Sequence, residues 1–145
     1  MDLLGDDPQL SLNDEDWRIF ARHGAQPPQY IGRDAVVENS SLTAGCEIYG
    51  TVKNCVLGAG VKVMEGATVC DSVIMDRVVI EAGAQVTYSI IDSNSAVGKN
   101  CKVGADRKIA KGIAVIGEDI CVPDGTTVLD GAMISKASDL NKEDK

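Results

Sequence analysis

The sequence predicts an all-β chain wound as a parallel β-helix of about five to six coils, and three observations carry that prediction. The chain repeats itself at a spacing of 17 residues, its glycines recur at fixed places in that repeat, and aromatic residues make up only 3% of it. A core with so few large rings must be assembled from many thin layers of small and aliphatic side chains.

An internal period of this length decides the fold ahead of any local propensity. Lys53–Val69, Cys70–Val86 and Thr87–Val103 align without gaps, and Gly112–Val128 follows after an eight-residue insertion, Gly104–Lys111. The fifth column holds Leu57, Ile74, Ile91 and Ile116; the eleventh holds Val63, Ile80, Val97 and Val122; the last holds Val69, Val86, Val103 and Val128. These columns stand six, six and five residues apart, so each copy is three near-hexapeptides with one contracted. Short strands that each point one aliphatic residue inward and then turn will close a triangular coil, and stacked coils align those residues into ladders.

The turn chemistry agrees. The fourteenth column is Gly66, Gly83, Asn100 and Gly125, the residue types that tolerate positive φ. Ala67, Ala84, Cys101 and Thr126 follow it, all small enough for a narrow interior. A helix is excluded, since glycine and β-branched residues dominate and a six-residue spacing misses the helical period. Upstream, Ile31–Val36 reads as one hexapeptide and Glu38–Val52 as the repeat shortened by two. The organisation expected is a connecting segment over 1–28, a β-helix over 29–134, and a charged tail over 135–145 that frays.

Composition bounds the function. A formal net charge of -8 and an isoelectric point near 4.5 argue against nucleic acid or anionic membrane as partners. No apolar run approaches the roughly 20 residues of a membrane span, and the acidic opening is unlike a secretory signal. Five cysteines, with no CxxC pair, read as reduced thiols packed as small hydrophobes in a cytoplasmic protein.

Chemistry is sparse. The single histidine, His23, precedes the repeats, so neither a three-histidine metal site nor a histidine base between coils can be assembled. Gly58-Ala59-Gly60 sits at a coil corner rather than before a helix, and Asp71, Asp76, Glu81 and Asp92 fall in turn or outward columns. Two features stand above this background. The fourth column, Val56, Val73, Ile90 and Val115, adjoins the inward fifth. Neighbouring strand residues point to opposite faces, so it becomes an exposed apolar strip suited to subunit contact unless the contracted segment tucks both inward. The insertion concentrates Arg107, Lys108 and Lys111 on an acidic chain, as a solvated loop or as a contact for an anion such as an effector phosphate.

The segments DWRI (Asp16–Ile19) and PPQYI (Pro27–Ile31), with VKNCVLGAGV (Val52–Val61), resemble the C-terminal part of bacterial glucose-1-phosphate adenylyltransferases. The resemblance runs from Met1 to about Ile134. It implies a left-handed hexapeptide β-helix that supports oligomerisation and allosteric regulation in an enzyme making ADP-glucose from ATP and glucose 1-phosphate for glycogen synthesis. It places the catalytic residues, with Mg2+ and ATP, in an N-terminal domain absent from this chain, which is therefore not expected to be active alone and to need no cofactor itself. The partners implied are that catalytic domain, identical or paralogous subunits in an oligomer, and a sugar-phosphate effector near Arg107–Lys111. Two alternatives stand beside it: the β-helix tail of another sugar-phosphate nucleotidyltransferase, and a free-standing hexapeptide acyltransferase, against which the histidine-free coils speak.

Overall fold

The computed structural model describes residues 25–142 and the isolated Asp16; His23, Trp17 and the other residues of the connecting segment before Ala25 lie outside the described residues. Among the described residues eighteen short strands form three parallel six-stranded sheets, and the chain visits the three in rotation, so each circuit is one coil and six coils stack. The first sheet comprises Tyr30–Ile31, Glu47–Ile48, Lys62–Val63, Val79–Ile80, Ala96–Val97 and Cys121–Val122. The second comprises Val36–Glu38, Thr51–Lys53, Thr68–Cys70, Gln85–Thr87, Lys102–Gly104 and Thr127–Val128. The third comprises Ser41–Leu42, Val56–Leu57, Val73–Ile74, Ser89–Ile91, Ala114–Ile116 and Met133–Ile134.

The register is that of the sequence columns. Leu57 pairs with Ile74, Ile74 with Ile91 and Ile91 with Ile116; on the first sheet Val63, Ile80, Val97 and Val122 stack, and on the second Val69, Val86, Val103 and Val128. All twelve are buried and belong to one core. Burying side chains of this size is favourable by about 1.5–3 kcal/mol each, which is how a stack offsets the ordering cost that a single coil cannot.

Corners need residues in the left-handed region. Gly66, Gly83, Asn100 and Gly125 have φ of 73°, 72°, 55° and 72°, joining the first sheet to the second. The contracted corner, between the second sheet and the third, turns on a single residue: Asn39, Asn54, Asp71 and then Tyr88, with φ between 43° and 52°. That tight corner turns peptide N–H groups inward, and a column of small polar side chains receives them. The Ser40 hydroxyl accepts from Cys55 N–H and the Ser72 hydroxyl from Ser89 N–H, each at 3.1 Å, while the hydroxyls donate to carbonyls two residues back at 2.6–2.8 Å. Among the described residues no buried side-chain nitrogen or oxygen lacks a partner.

Two boundaries differ from the sequence expectation. Gly104 stays in its strand, paired with Thr87, and Ser89 pairs with Ala114, so residues 105–113 replace the single corner residue Tyr88. The insertion therefore leaves the stack at a corner and disturbs no register. At the other boundary, residues 135–142 of the charged tail fold back on the β-helix. Ala137–Lys142 form a 3-10 helix whose Leu140 is 6% exposed, and the Asp139 carboxylate accepts from the Ser135 and Lys136 N–H groups. Leu140 thereby joins the core at the last coil, where the 3-10 helix packs against the strands Cys121–Val122 and Met133–Ile134.

Candidate functional site

The third sheet settles which of its two adjacent columns faces out. Leu57, Ile74, Ile91 and Ile116 point inward and are buried, while Val56, Val73, Ile90 and Val115 line the outer face and are half-buried. Met133, one strand further, extends the row and is 73% exposed. At about 4.8 Å between neighbouring strands, the five residues from Val56 to Met133 make a strip about 19 Å long. Met75 and Ile113 flank it, and a shallow cleft of about 100 Å3 opens between Asp71, Val73, Tyr88, Ile90 and Ile113.

The other two faces are built differently. The first sheet presents Glu47 and Lys62 outward, ion-paired at 3.5 Å, and the second presents Glu38 and Lys53, paired at 3.1 Å. Charges placed on an outer row in this way discourage association there. The uncharged row of the third sheet does not.

The basic loop is a compact turn. The Asp106 carboxylate accepts from Lys108 N–H at 2.9 Å, and the Asp106 carbonyl accepts from Ile109 and Ala110 N–H, both at 2.9 Å. Asp130 accepts from Lys111 N–H at 2.6 Å, tying the loop to the following coil. Two carboxylates are thus spent on backbone, while the side chains of Arg107, Lys108 and Lys111 are exposed and in no ion pair among the described residues. The loop rises at the corner beside the apolar strip, since Ile113 walls the same cleft as Ile90.

The acidic residues are distributed rather than gathered. Asp71 accepts from the Asn54 side chain at 3.3 Å, Asp76 from Ala59 N–H at 2.9 Å, and Asp92 from Ser93 N–H at 2.7 Å, all corner duties. Among the described residues no group of three or more histidine, cysteine, aspartate or glutamate side chains is placed to hold a metal ion. All five cysteines are free. Burial raises the thiols of Cys46, Cys70 and Cys101, and pushes Cys55 up to about 11, so these four are protonated at neutral pH and are not poised as nucleophiles. Cys121 departs from the expected packing role: it lies on the outer row of the first sheet and is exposed.

Sequence reasoning missed two concavities, one of them a cleft of about 470 Å3 between Glu47, Lys62, Met64, Glu81 and Lys99. The other, of about 490 Å3, lies beside the first coils between Tyr30, Arg33, Asp34, Tyr49, Thr51 and Glu65. Its two tyrosine rings meet at 5.8 Å, tilted by 48°. The signal was available, since Tyr30 and Tyr49 are two of only three tyrosines in the chain.

The family model described as "GlmU-like, C-terminal hexapeptide" matches residues 27–122. Curated relatives include the glucose-1-phosphate adenylyltransferase of Acetivibrio thermocellus, 38% identical over 88% of this chain and 32% of that protein. The glucose-1-phosphate adenylyltransferase of Desulforamulus reducens is 34% identical over 94% of this chain and 36% of its own length. The chain thus spans about a third of the length of these relatives and corresponds to their C-terminal part. Among solved structures, the acetyltransferase domain of PglB from Neisseria gonorrhoeae superposes with a TM-score of 0.59 at 22% identity, covering 79% of this chain and 54% of that one, which shows a shared fold alone. With the stacked hexapeptide coils and the match over residues 27–122 together, the chain belongs to the GlmU-like C-terminal hexapeptide family, as a left-handed parallel β-helix.

Proposed function

We propose that this chain is the assembly and regulatory β-helix of a glucose-1-phosphate adenylyltransferase, the enzyme that joins ATP and glucose 1-phosphate into ADP-glucose and releases pyrophosphate. The similarity to adenylyltransferases over nearly the whole chain supports the parent activity. On this reading Mg2+, ATP and catalysis belong to the part of the relatives' length that this chain does not match, about two thirds of it. What this chain contributes is a rigid stack with one uncharged outer face.

The observation that carries the assembly role is the row Val56, Val73, Ile90, Val115 and Met133. Two copies each carrying a net charge of -8 repel one another, and a strip free of charge is where that repulsion is smallest and apolar burial largest. Size-exclusion chromatography with light scattering on this chain should give a dimer or tetramer, and Val73→Asp should lower its mass while the far-ultraviolet spectrum stays unchanged. A mass unaltered by Val73→Asp overturns this face as the contact. A monomeric native chain overturns self-assembly through the β-helix.

A second role rests on the loop cations. Arg107, Lys108 and Lys111 offer three exposed positive side chains at one corner, in no ion pair among the described residues, the chemistry that receives the phosphate of a sugar-phosphate effector. In the full-length enzyme, Lys108→Ala should raise the effector concentration for half-activation several-fold with the unactivated rate unchanged. An identical activation curve reduces the loop to a solvated turn.

A further inference from the structure

One coil of the stack is incomplete. Between the inward residues of the first and second sheets the chain runs six positions from Ile31 to Val37, from Val63 to Val69 and from Ile80 to Val86, but only four from Ile48 to Val52. The shortening by two seen in Glu38–Val52 thus falls at this corner, where only Tyr49 and Gly50 join the strands of the second coil. The corners on either side of it stand two steps of about 4.8 Å apart, so the omission opens a notch about 10 Å wide. Buried Gly50 is its floor, Arg33 and Asp34 form one wall, and Glu65 and Gly66 form the other.

The omission also leaves backbone groups unmatched. In later coils the left-handed corner residue donates its N–H to the corner before it: Gly83 to the Glu65 carbonyl at 3.3 Å, Asn100 to Ala82 at 3.1 Å and Gly125 to Lys99 at 2.8 Å. Among the described residues neither the Gly66 N–H nor the Arg33 carbonyl has a backbone partner, because the residues that would serve them are those the second coil omits. The notch therefore offers a donor and an acceptor to whatever enters it.

Tyr49 and Glu65 line a second cleft as well, which continues past Met64 and Glu81 to Lys99. The two clefts, of about 490 and 470 Å3, lie end to end from the first coil to the fifth, four steps or about 19 Å. That length suits a short chain of units rather than one small molecule.

The lining selects the chemistry. Tyr30 is 56% exposed and its ring is tilted by 48° to that of Tyr49, so the pair offers aromatic surface at one end. The face of such a ring is the negative side of its quadrupole and attracts the C–H face of a pyranose. Asp34, Glu65, Thr51 and Thr68 supply carboxylates and hydroxyls for sugar hydroxyls. Anions are disfavoured: Glu47 is paired with Lys62, and beyond that pair the carboxylates Asp34, Glu65 and Glu81 outnumber the cations Arg33 and Lys99. An extended peptide finds no strand edge to join, since Glu47–Ile48, Lys62–Val63 and Val79–Ile80 are paired on both sides.

We propose that this groove binds a linear, neutral oligosaccharide, with one pyranose over Tyr30 and Tyr49, its hydroxyls toward the notch, and the chain running on toward Lys99. The assignment is independent of the proposed enzymatic role.

The test is a titration of the isotopically labelled chain with maltotetraose and, separately, with cellotetraose, followed through the amide resonances of Gly32, Gly50 and Gly66. At least one of the two sugars should shift these signals saturably at millimolar concentration or below, and leave those of Gly104 and Gly131 in place. Tyr30→Ala and Glu65→Gln, both at exposed positions, should each weaken binding several-fold with the β signal in circular dichroism retained. Lys136→Ala, at the far end of the stack, should leave it unchanged. Absence of a saturable shift with both sugars overturns the proposal, as does binding that Tyr30→Ala and Glu65→Gln leave intact. Inorganic phosphate moving the same amides at lower concentration than either sugar would assign the groove to anions and overturn it equally.

Discussion

Replacing Ile91 by alanine is the sharpest test of the stacked core. Ile91 is fully buried between Ile74 and Ile116, which are themselves buried. The substitution removes three carbons, about 2.4 kcal/mol of transfer free energy at roughly 0.8 kcal/mol per methylene. A cavity adds to this, and here it cannot collapse, because hydrogen bonds fix the spacing to the coil on either side. The expected loss is therefore about 4 kcal/mol, in the upper part of the 2–5 kcal/mol range for such changes. For a chain of this size that lowers the melting temperature by roughly 8–16 °C. The control is Val73→Ala on the same sheet: an outward, half-buried side chain should cost below about 1 kcal/mol. Guanidinium unfolding followed by circular dichroism measures both, with an unchanged m-value as the sign that only stability has moved. Equal losses at the two positions would refute the inward and outward assignment, and a loss under about 1.5 kcal/mol at Ile91 would refute the unyielding core.

Backbone contact between coils makes Gly50→Ala severe, since the new Cβ would meet the Ala67 and Met64 carbonyls, the latter at 2.7 Å; a loss above about 3 kcal/mol is expected on the same denaturation curve. Gly125→Ala has nothing within 4 Å of its Cβ and meets only the cost of φ at 72°, about 1–2 kcal/mol, so a ranking opposite to this would contradict the packing. Ser72→Ala strips the acceptor from Ser89 N–H and should cost about 1–3 kcal/mol, whereas a neutral result would mean that another group serves that donor. A thiol reagent should modify Cys121 at once in the folded protein and Cys46, Cys55 and Cys101 only as fast as it unfolds. Because the Cys55 thiol is raised on folding from 9.0 to about 11, the unfolded chain loses that proton first. Stability should hold below about pH 9 and fall between pH 9 and 11, with a shallower fall in Cys55→Ala.

Much of this architecture was legible because a β-helix writes its register into its period. Aligning Leu57, Ile74, Ile91 and Ile116 as a column was already a statement about which strands pair, and the pairing follows it residue for residue. The outward direction of Val73 was not decidable from that column, since the contracted corner left room for both rows to point in. Tyr88 and Arg77 in the left-handed region were also beyond reach, because tertiary stacking overrides the local preference of an aromatic or a long side chain. The inner column of small polar side chains was visible as Ser40, Cys55, Ser72 and Ser89, but its meaning depends on N–H groups that only the closed corner turns inward. Leu140 reads as one apolar residue in a charged tail until the last coil is there to receive it. For the site, the basic loop and apolar column stood out separately, while their adjacency through Ile113 came only from the fold.

The insertion at residues 105–113 has one more consequence. It adds mass sideways and none along the axis, because Gly104 and Ala114 keep their places opposite Thr87 and Ser89. The molecule is in effect a ruler: five steps of about 4.8 Å separate its first and last coils whatever its corners carry. Corner sequence is thereby free to vary, while the gap between whatever docks at the two ends can change only by whole coils.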